Sequence, residues 1–234
     1  MELKKSEYSF DKTKLCEPEP SVFNALNAEQ TEILNSKRFE VTFNSGETIF
    51  KQGSALTHIV YFKSGKAKMV LEDTNGQSVL LKIVKQNDIA GGPGFYTNYR
   101  NYFSLVAIEE TEACFIDVDI FKNFVETNPG FASALIAFLN TGFIKMYDKL
   151  RAFANKHMNG RLADTLLYLS NEIYCDTEFT TTLRRLDLAN MSSMTKESVI
   201  RTLKNFREGG IIDFKKDSFK ILRKDILVDI SMKG

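Results

Sequence analysis

Three cysteines and two histidines are all that the 234 residues hold, and that scarcity removes several kinds of chemistry. Cys16, Cys114 and Cys175 are far apart and odd in number. They fit neither a disulfide framework nor a CxxC-type metal or cluster site, so free thiols are the expected state. A catalytic metal in a small β-barrel needs grouped histidine and carboxylate ligands. Only His58 falls in the β-rich part of the chain, and His157 lies outside it. There is also no GxSxG, no phosphate loop and no Ser/His/Asp grouping, so the chain is not expected to be an enzyme.

Long apolar runs are missing too. The first thirty residues carry Lys4, Lys5, Asp11 and Glu17 without a stretch long enough for a signal peptide, and no later window approaches a membrane span. A cytoplasmic protein with no membrane partner is expected. Prolines number four, and neither an internal repeat nor a low-complexity tract is present.

What remains is ordinary globular composition, 43% hydrophobic and 26% charged, on a chain long enough for two modest domains. The net charge of +1 says nothing about nucleic acid, but its distribution does. Between Arg184 and Lys224 eleven basic residues face five acidic ones, leaving the rest of the chain net acidic. Such a local excess is the footprint of a surface that displaces counterions from phosphate; a solvated basic face with no partner is the plain alternative.

From Arg38 to Asp117 short β-rich runs alternate with glycine turns: FEVTF, ETIFKQG, HIVYFKSG, KAKMVLED, SVLLKIV. Many short strands with regular turns indicate a sandwich or barrel, and Asn75-Gly76 signals a hairpin tip of type I′. Ser21 to Leu34 carries a short helical pattern with Ser21 as its N-cap. After the β block the period changes. Ile136, Leu139, Phe143, Met146, Leu150 and Phe153 step by three and four, the stripe of a helix beginning at Asn128-Pro129. So narrow a stripe suits a two-stranded dimer seam, with packing on the chain's own β domain as the other reading. Gly142 in mid-helix costs about 1 kcal/mol against alanine, which a partner helix would offset. A break is expected between Asn155 and Gly160, with Asn159-Gly160 as the punctuation.

The most informative stretch runs from Leu183 to Ile212. It reads as a short helix ending near Asn190, a tight turn through Ser192-Ser193, and a second helix over about 195–208 capped by Thr195. Val199, Leu203 and Phe206 share the core face. Lys196, Glu197, Ile200, Arg201 and Lys204 take the other, where Arg201 can reach a guanine O6 and N7 and Glu197 a cytosine N4. The same i, i+4 pair is also what a plain surface salt bridge looks like. Ile211-Ile212-Asp213-Phe214 and Phe219-Lys220-Ile221-Leu222 then alternate as two strands about Lys216-Asp217. This is a wing that brings Lys215 and Lys216 near phosphate.

Residues 182–222 resemble the DNA-binding domain of the Crp/Fnr family of bacterial transcription regulators, related to the cyclic-AMP receptor protein. Met194-Thr-Lys-Glu-Ser-Val-Ile-Arg-Thr-Leu is similar to the family's recognition helix, with Glu197 and Arg201 at its two principal base-reading positions and Lys196 where arginine is usual. Gly46-Glu-Thr-Ile-Phe-Lys-Gln-Gly53 and Val60-Tyr-Phe-Lys-Ser-Gly65 are similar to the family's β-roll. The resemblance implies an α+β protein: an N-terminal double-stranded β-roll of the cyclic-nucleotide-binding jelly-roll kind, a long dimerisation helix, and a C-terminal winged helix-turn-helix. The expected divisions are 1–127, 128–156 and 157–234. Expected DNA contacts are Ser193, Thr195, Lys196, Glu197, Arg201, Lys204, Lys215 and Lys216 on a palindromic site. Double-stranded DNA and a second copy of the chain are the expected partners, with RNA polymerase a further candidate.

In members that bind cyclic nucleotides, a glycine-glutamate pair and a later arginine-serine hold ribose and phosphate. Here the region reads Asp88-Ile-Ala-Gly-Gly-Pro-Gly94 and Tyr99-Arg-Asn-Tyr-Phe-Ser104: the glutamate is missing and arginine does not precede the serine. Cyclic AMP bound in the family's usual way is therefore not expected. Gly91, Gly92, Tyr102 and Ser104 mark a candidate pocket for an effector left unnamed. Phe95, Tyr96, Tyr99, Tyr102 and Phe103 either line it or form core. An iron–sulfur cluster lacks grouped cysteines. Haem through His58 or His157 has no support, and no cofactor is expected. A module of this fold that has given up DNA for protein contacts is the alternative function.

Overall fold

The structure is a computed structural model and describes residues 21–234; Cys16 and the start of the first expected domain lie outside the described residues. Strands β1 (Phe39–Phe43), β8 (Thr111–Asp117), β3 (His58–Ser64) and β6 (Ile89–Ala90) make one antiparallel sheet, in that order. Strands β2 (Thr48–Phe50), β7 (Ser104–Ala107), β4 (Lys66–Glu72) and β5 (Ser78–Lys85) make the second. Val60, Phe62, Ala67, Val84, Leu105 and Ala113 from both sheets share one buried cluster. The alternation Lys66-Ala67-Lys68-Met69 is interrupted by a bulge between Met69 and Val70. The bulge allows two successive residues to be buried.

Three local expectations are corrected. Ser21 to Leu34 is two pieces. Ser21 caps a 3-10 turn, Val22–Ala25, and helix α1 (Ala28–Lys37) starts afresh at Asn27, whose side chain accepts from Gln30 N while Gln30 returns a bond to Asn27 N. Asn75-Gly76 does lie at a loop tip, but only Gly76 takes positive φ, so this is not a type I′ turn. Residues 73–77 are instead organised by the Asp73 carboxylate, which accepts from Asn75 N and Gln77 N. Finally, Asn159-Gly160 does not break the chain. Helix α3 (Pro129–Asn155) gives way at Lys156 and His157 to α4 (Met158–Tyr168), and Gly160 is buried inside α4 against the backbone of Gly234.

Helix α2 (Val118–Thr127), which the sequence pattern did not disclose, begins on the Asp117 carboxylate. Its Phe121 and Phe124 pack on Phe131 and Leu135 at the start of α3. Asn128 caps α3 by accepting from Phe131 N at 3.0 Å. Beyond α4 the helix widens into a π-helical turn, Leu169–Tyr174, closed by Cys175 at φ 58°. Cys114 is a buried free thiol, as expected. Cys175 is disulfide-bonded, so the expectation of free thiols does not hold for it. The remainder comprises β9 (Glu178–Thr180), α5 (Arg185–Ser192), α6 (Lys196–Glu208), β10 (Ile212–Lys215), β11 (Ser218–Ile221) and α7 (Lys224–Lys233). Strands β10, β11 and β9 form a three-stranded sheet.

The C-terminal half is seated on the open edge of β5. Ile83 N donates to the Tyr168 hydroxyl at 3.0 Å, and that hydroxyl donates back to Ile83 O at 3.3 Å. Asn190 Nδ2 reaches Ser78 Oγ at 2.8 Å, and Lys68 pairs with Asp187 at 2.6 Å. Lys85 donates to the Glu172 carbonyl. Leu80 and Ile83 join the core formed by α4, α5 and α6. Lys149 on α3 completes the seam, donating to Leu80 O at 2.6 Å and Leu81 O at 2.9 Å with its Nζ over the Phe153 ring.

Burial depresses the Lys149 ammonium to about 8, and no carboxylate pairs with it among the described residues. The unfolded chain keeps that proton until about pH 10.4. Between those values unfolding takes up a proton, so this group makes stability rise with pH. Relative to Lys149→Met, the wild-type chain should therefore gain in urea midpoint as pH goes from about 8 to 10. A difference that stays flat across that window would contradict the burial of the ammonium.

Candidate nucleic-acid interface

Helix α5 ends where Ser193 turns left-handed at φ 51°, and α6 starts three residues later. Thr195 Oγ1 accepts from Ser198 N at 3.1 Å, which satisfies one of the orphan amides of the first turn. The helix is then divided lengthwise. Val199, Leu203 and Phe206 are buried against Leu188, Ala189, Ile212 and Phe219 in one core. Lys196, Glu197, Ile200, Arg201 and Lys204 are all exposed on the other side.

The surface salt bridge that Glu197 and Arg201 could form is not made. Among the described residues neither is held in an ion pair; the pair on this helix is Lys204 with Glu208, at 3.6 Å. The same sorting thins the basic segment. Lys220 is taken up by Glu178 at 2.7 Å and Arg223 by Asp225 at 3.0 Å. Arg184, Lys196, Arg201, Lys215 and Lys216 keep exposed charges with no carboxylate partner among the described residues. Arg184 was not among the residues expected from sequence, although its place just ahead of the first helix was a usable signal.

The wing forms as expected. β10 and β11 pair with Lys215 opposite Ser218, leaving Lys216 and Asp217 as the turn. Strand β9 beside them was not anticipated; its three residues are too few to show a period.

On α3, Ile136, Leu139, Phe143, Met146 and Leu150 are between 41% and 59% exposed. Phe153 is only half-buried, beneath Lys149. Ile144 and Tyr147, outside the stripe, are exposed too, and a Cβ built on Gly142 would meet nothing. The apolar surface of this helix is thus broader than the stripe and uncovered by the other described residues.

The four residues marked for an effector divide between the core and the surface. Gly91 is buried against Ile59, and the half-buried Gly92 faces the ring of Phe103, to which a Cβ would come within 2.7 Å. Ser104 Oγ is engaged by Gln52 N at 3.0 Å. Tyr102 stands outside at 46% exposure, its hydroxyl bonded by Asn98. The aromatic cluster divides: Phe103 belongs to the β-roll core and Phe95 packs on the α2 and α3 cluster, while Tyr96, Tyr99 and Tyr102 are exposed. His58 sits among the Phe39 and Phe115 rings, His157 precedes α4, and no metal-binding group of His, Cys, Asp or Glu occurs among the described residues. No helix among them is long and apolar enough to cross a membrane.

Two known families match this architecture, the Cyclic nucleotide-binding domain over residues 40–128 and the Crp-like helix-turn-helix domain over residues 160–230. The Electron transport regulator A of Shewanella oneidensis is 23% identical over 84% of this chain and 79% of its own. The Anaerobic regulatory protein of Bacillus subtilis is 23% identical over 88% of each. Among solved structures, FixK2 from Bradyrhizobium japonicum superposes with a TM-score of 0.76 at 15% identity, covering 82% of this chain and 96% of that one. A Crp/Fnr-family regulator from Eubacterium rectale gives 0.74 at 18% identity, covering 90% and 97%.

The chain belongs to the Crp/Fnr family of transcription regulators. The β-roll, long helix and winged helix-turn-helix expected of a Crp/Fnr protein are all present. The helix-turn-helix is accordingly its DNA-binding domain, and α6 is the element whose outer face is free for the task.

Because α6 starts on a single side-chain hydroxyl, Thr195→Ala should lower stability by about 1 kcal/mol. Urea denaturation followed by circular dichroism measures it. Thr195→Ser keeps the acceptor and should retain most of the stability; equal losses in both variants would contradict the cap.

Proposed function

We propose that two copies of this regulator pair along α3 and set two α6 helices into successive major grooves of a palindromic duplex, about 34 Å apart. The reading is carried by one observation, the exposed and unpaired Arg201 guanidinium one turn beyond the Glu197 carboxylate, on a helix whose back is buried. Arg201 donates both guanidinium nitrogens to a guanine O6 and N7, and Glu197 accepts from a cytosine N4. Lys196, Lys204, Ser193 and Thr195 at the helix, and Lys215 and Lys216 on the wing, contact the phosphates and fix the register.

Pairing is supported by the open apolar surface from Ile136 to Leu150 and by Gly142, which lets a second backbone approach. The division at 127/128 and 156/157 is supported by the bounds of α3 and by the two family matches that flank it. The effector, if one acts, is not cyclic AMP held in the usual way, since Phe103 fills the space over Gly92. The protein works in the cytoplasm without catalysis, and RNA polymerase is a further candidate partner. The unpaired Arg201 together with the basic wing favours DNA over a purely protein-binding module.

Binding to a duplex carrying the preferred palindrome should weaken steeply with salt, because phosphate neutralisation releases counterions. A flat dependence would favour a protein partner instead. On that duplex Arg201→Ala should cost about 1–3 kcal/mol and relax preference at the guanine it reads. An unchanged affinity and base preference would remove its role. Met146→Glu buries a charge in the seam, so sedimentation should show monomers in place of dimers and the palindrome should bind no better than a half-site. A persistent dimer would move the interface elsewhere.

A further inference from the structure

The wing has to present two lysines at a defined place, yet its turn is not one that lysine favours. Lys216 sits at φ 52°, in the left-handed region that residues with a Cβ seldom occupy. Both carbonyls of the turn are tied to the body of the domain. Thr181 N donates to Asp217 O at 2.9 Å, and Arg185 Nη2 donates to Lys216 O at 2.6 Å. The second tie is the more elaborate, because the Arg185 guanidinium also lies 4.9 Å from the Phe219 ring centre and 5.5 Å from that of Phe214. Phe214 carries a second guanidinium, that of Arg207 at the end of α6, at 4.8 Å. One wing ring is thus shared between the first residue of α5 and the last turn of the reading helix. The side chains of Lys215 and Lys216 are left exposed beyond it.

We infer that Arg185 is the positioning residue of the wing: its guanidinium, lying over Phe214 and Phe219 and bonded to the Lys216 carbonyl, holds Lys215 and Lys216 where they meet the DNA backbone. The inference rests on the DNA-binding reading above and deepens it, since it assigns to a residue of the first helix the geometry of a contact made by the hairpin. A planar cation is needed for both jobs at once. A ring contact can take the face of a guanidinium while a carbonyl takes its edge, whereas a lysine ammonium has no such division.

Two measurements test it. In the free protein, the fastening predicts that Arg185→Ala speeds amide hydrogen exchange at Thr181, whose bond to Asp217 closes the same turn, while Arg185→Lys gives an intermediate rate. Unchanged exchange at Thr181 overturns the fastening, whether or not the protein binds DNA. On duplex DNA, Arg185→Ala should weaken palindrome and random sequence by the same factor. It should also reduce the magnitude of the log–log salt slope toward that of the Lys215→Ala/Lys216→Ala double variant, a change of up to about 1.8 for two phosphates. In that double variant, adding Arg185→Ala should change affinity less than two-fold. If the losses multiply instead, Arg185 touches phosphate itself and the positioning role is wrong. Phe214→Leu keeps the strand apolar but removes the shared ring, so it should reproduce Arg185→Ala in both measurements. It carries the test if the arginine variant folds poorly, and wild-type behaviour of Phe214→Leu overturns the role of the ring.

Discussion

An unpaired strand edge is the constraint on which this structure turns. Strand β5 ends its sheet, and its outward amides and carbonyls must find partners or lose on the order of 1–3 kcal/mol each when water is kept out. The partners come from the C-terminal half. The Tyr168 phenol serves Ile83 as both acceptor and donor, a task for which a phenol has the right inventory and a phenylalanine does not. Burial pushes that phenol well above its ordinary pKa, so it stays neutral and keeps the donor. Lys149 serves the Leu80 and Leu81 carbonyls, and Asn190 adds a bond to the Ser78 hydroxyl. The DNA-binding domain is seated on the β-roll because the strand edge requires covering, and Leu80 and Ile83 make the cover apolar as well as polar.

A second division acts at the surface. The basic excess of the segment from Arg184 to Lys224 reads as one patch in sequence, but carboxylates beside Lys204, Lys220 and Arg223 spend part of it locally. Exposed pairs of that kind add little to stability. Their effect is to concentrate the unopposed charge on Arg184, Lys196, Arg201 and the wing turn. A charge count locates the domain; only pairing locates the face.

The helix-turn-helix was the most legible part of the chain because its signals are local and agree with one another. Thr195 as cap, the spacing of Val199, Leu203 and Phe206, and the glycines after Glu208 all specify the same helix. The strands were legible by alternation, whereas the loop at 73–77 was misread because an Asp73 side chain organises it, and Asn75-Gly76 alone does not reveal that. Asn159-Gly160 looked like a break because glycine has two uses. Here it serves close backbone packing, a long-range fact invisible to a local reading. The residues marked for a pocket divide between core and surface for a related reason: Tyr102 and Phe103 are neighbours in sequence but face opposite ways on a strand entry, so the one that fills the core is not the one chosen. Arg185 escaped notice because its partners, Phe214 and Lys216, are reached only through the fold.

These constraints bear on how such a regulator can be switched. The backbone crosses between the halves at Lys156 and His157, where no helix continues. What holds the halves together is the seam along β5. Moving a two-state equilibrium from 1:99 to 99:1 takes about 5.5 kcal/mol, a sum that a handful of buried hydrogen bonds and two apolar side chains can represent. An effector therefore need not push the domain. It need only bind better to the β-roll when β5 is released than when it is covered, or the reverse. Strand β5 is paired with β4 along its whole length, from Glu72 opposite Ser78 to Lys66 opposite Lys85, so a shift inside the sheet reaches the edge directly. Lys66 also sits over the Tyr174 ring at the head of a stack running through Phe179 and Phe219 to the wing. The sheet that closes the β-roll is thus also the surface on which the DNA-binding domain rests, and the two roles cannot be altered independently.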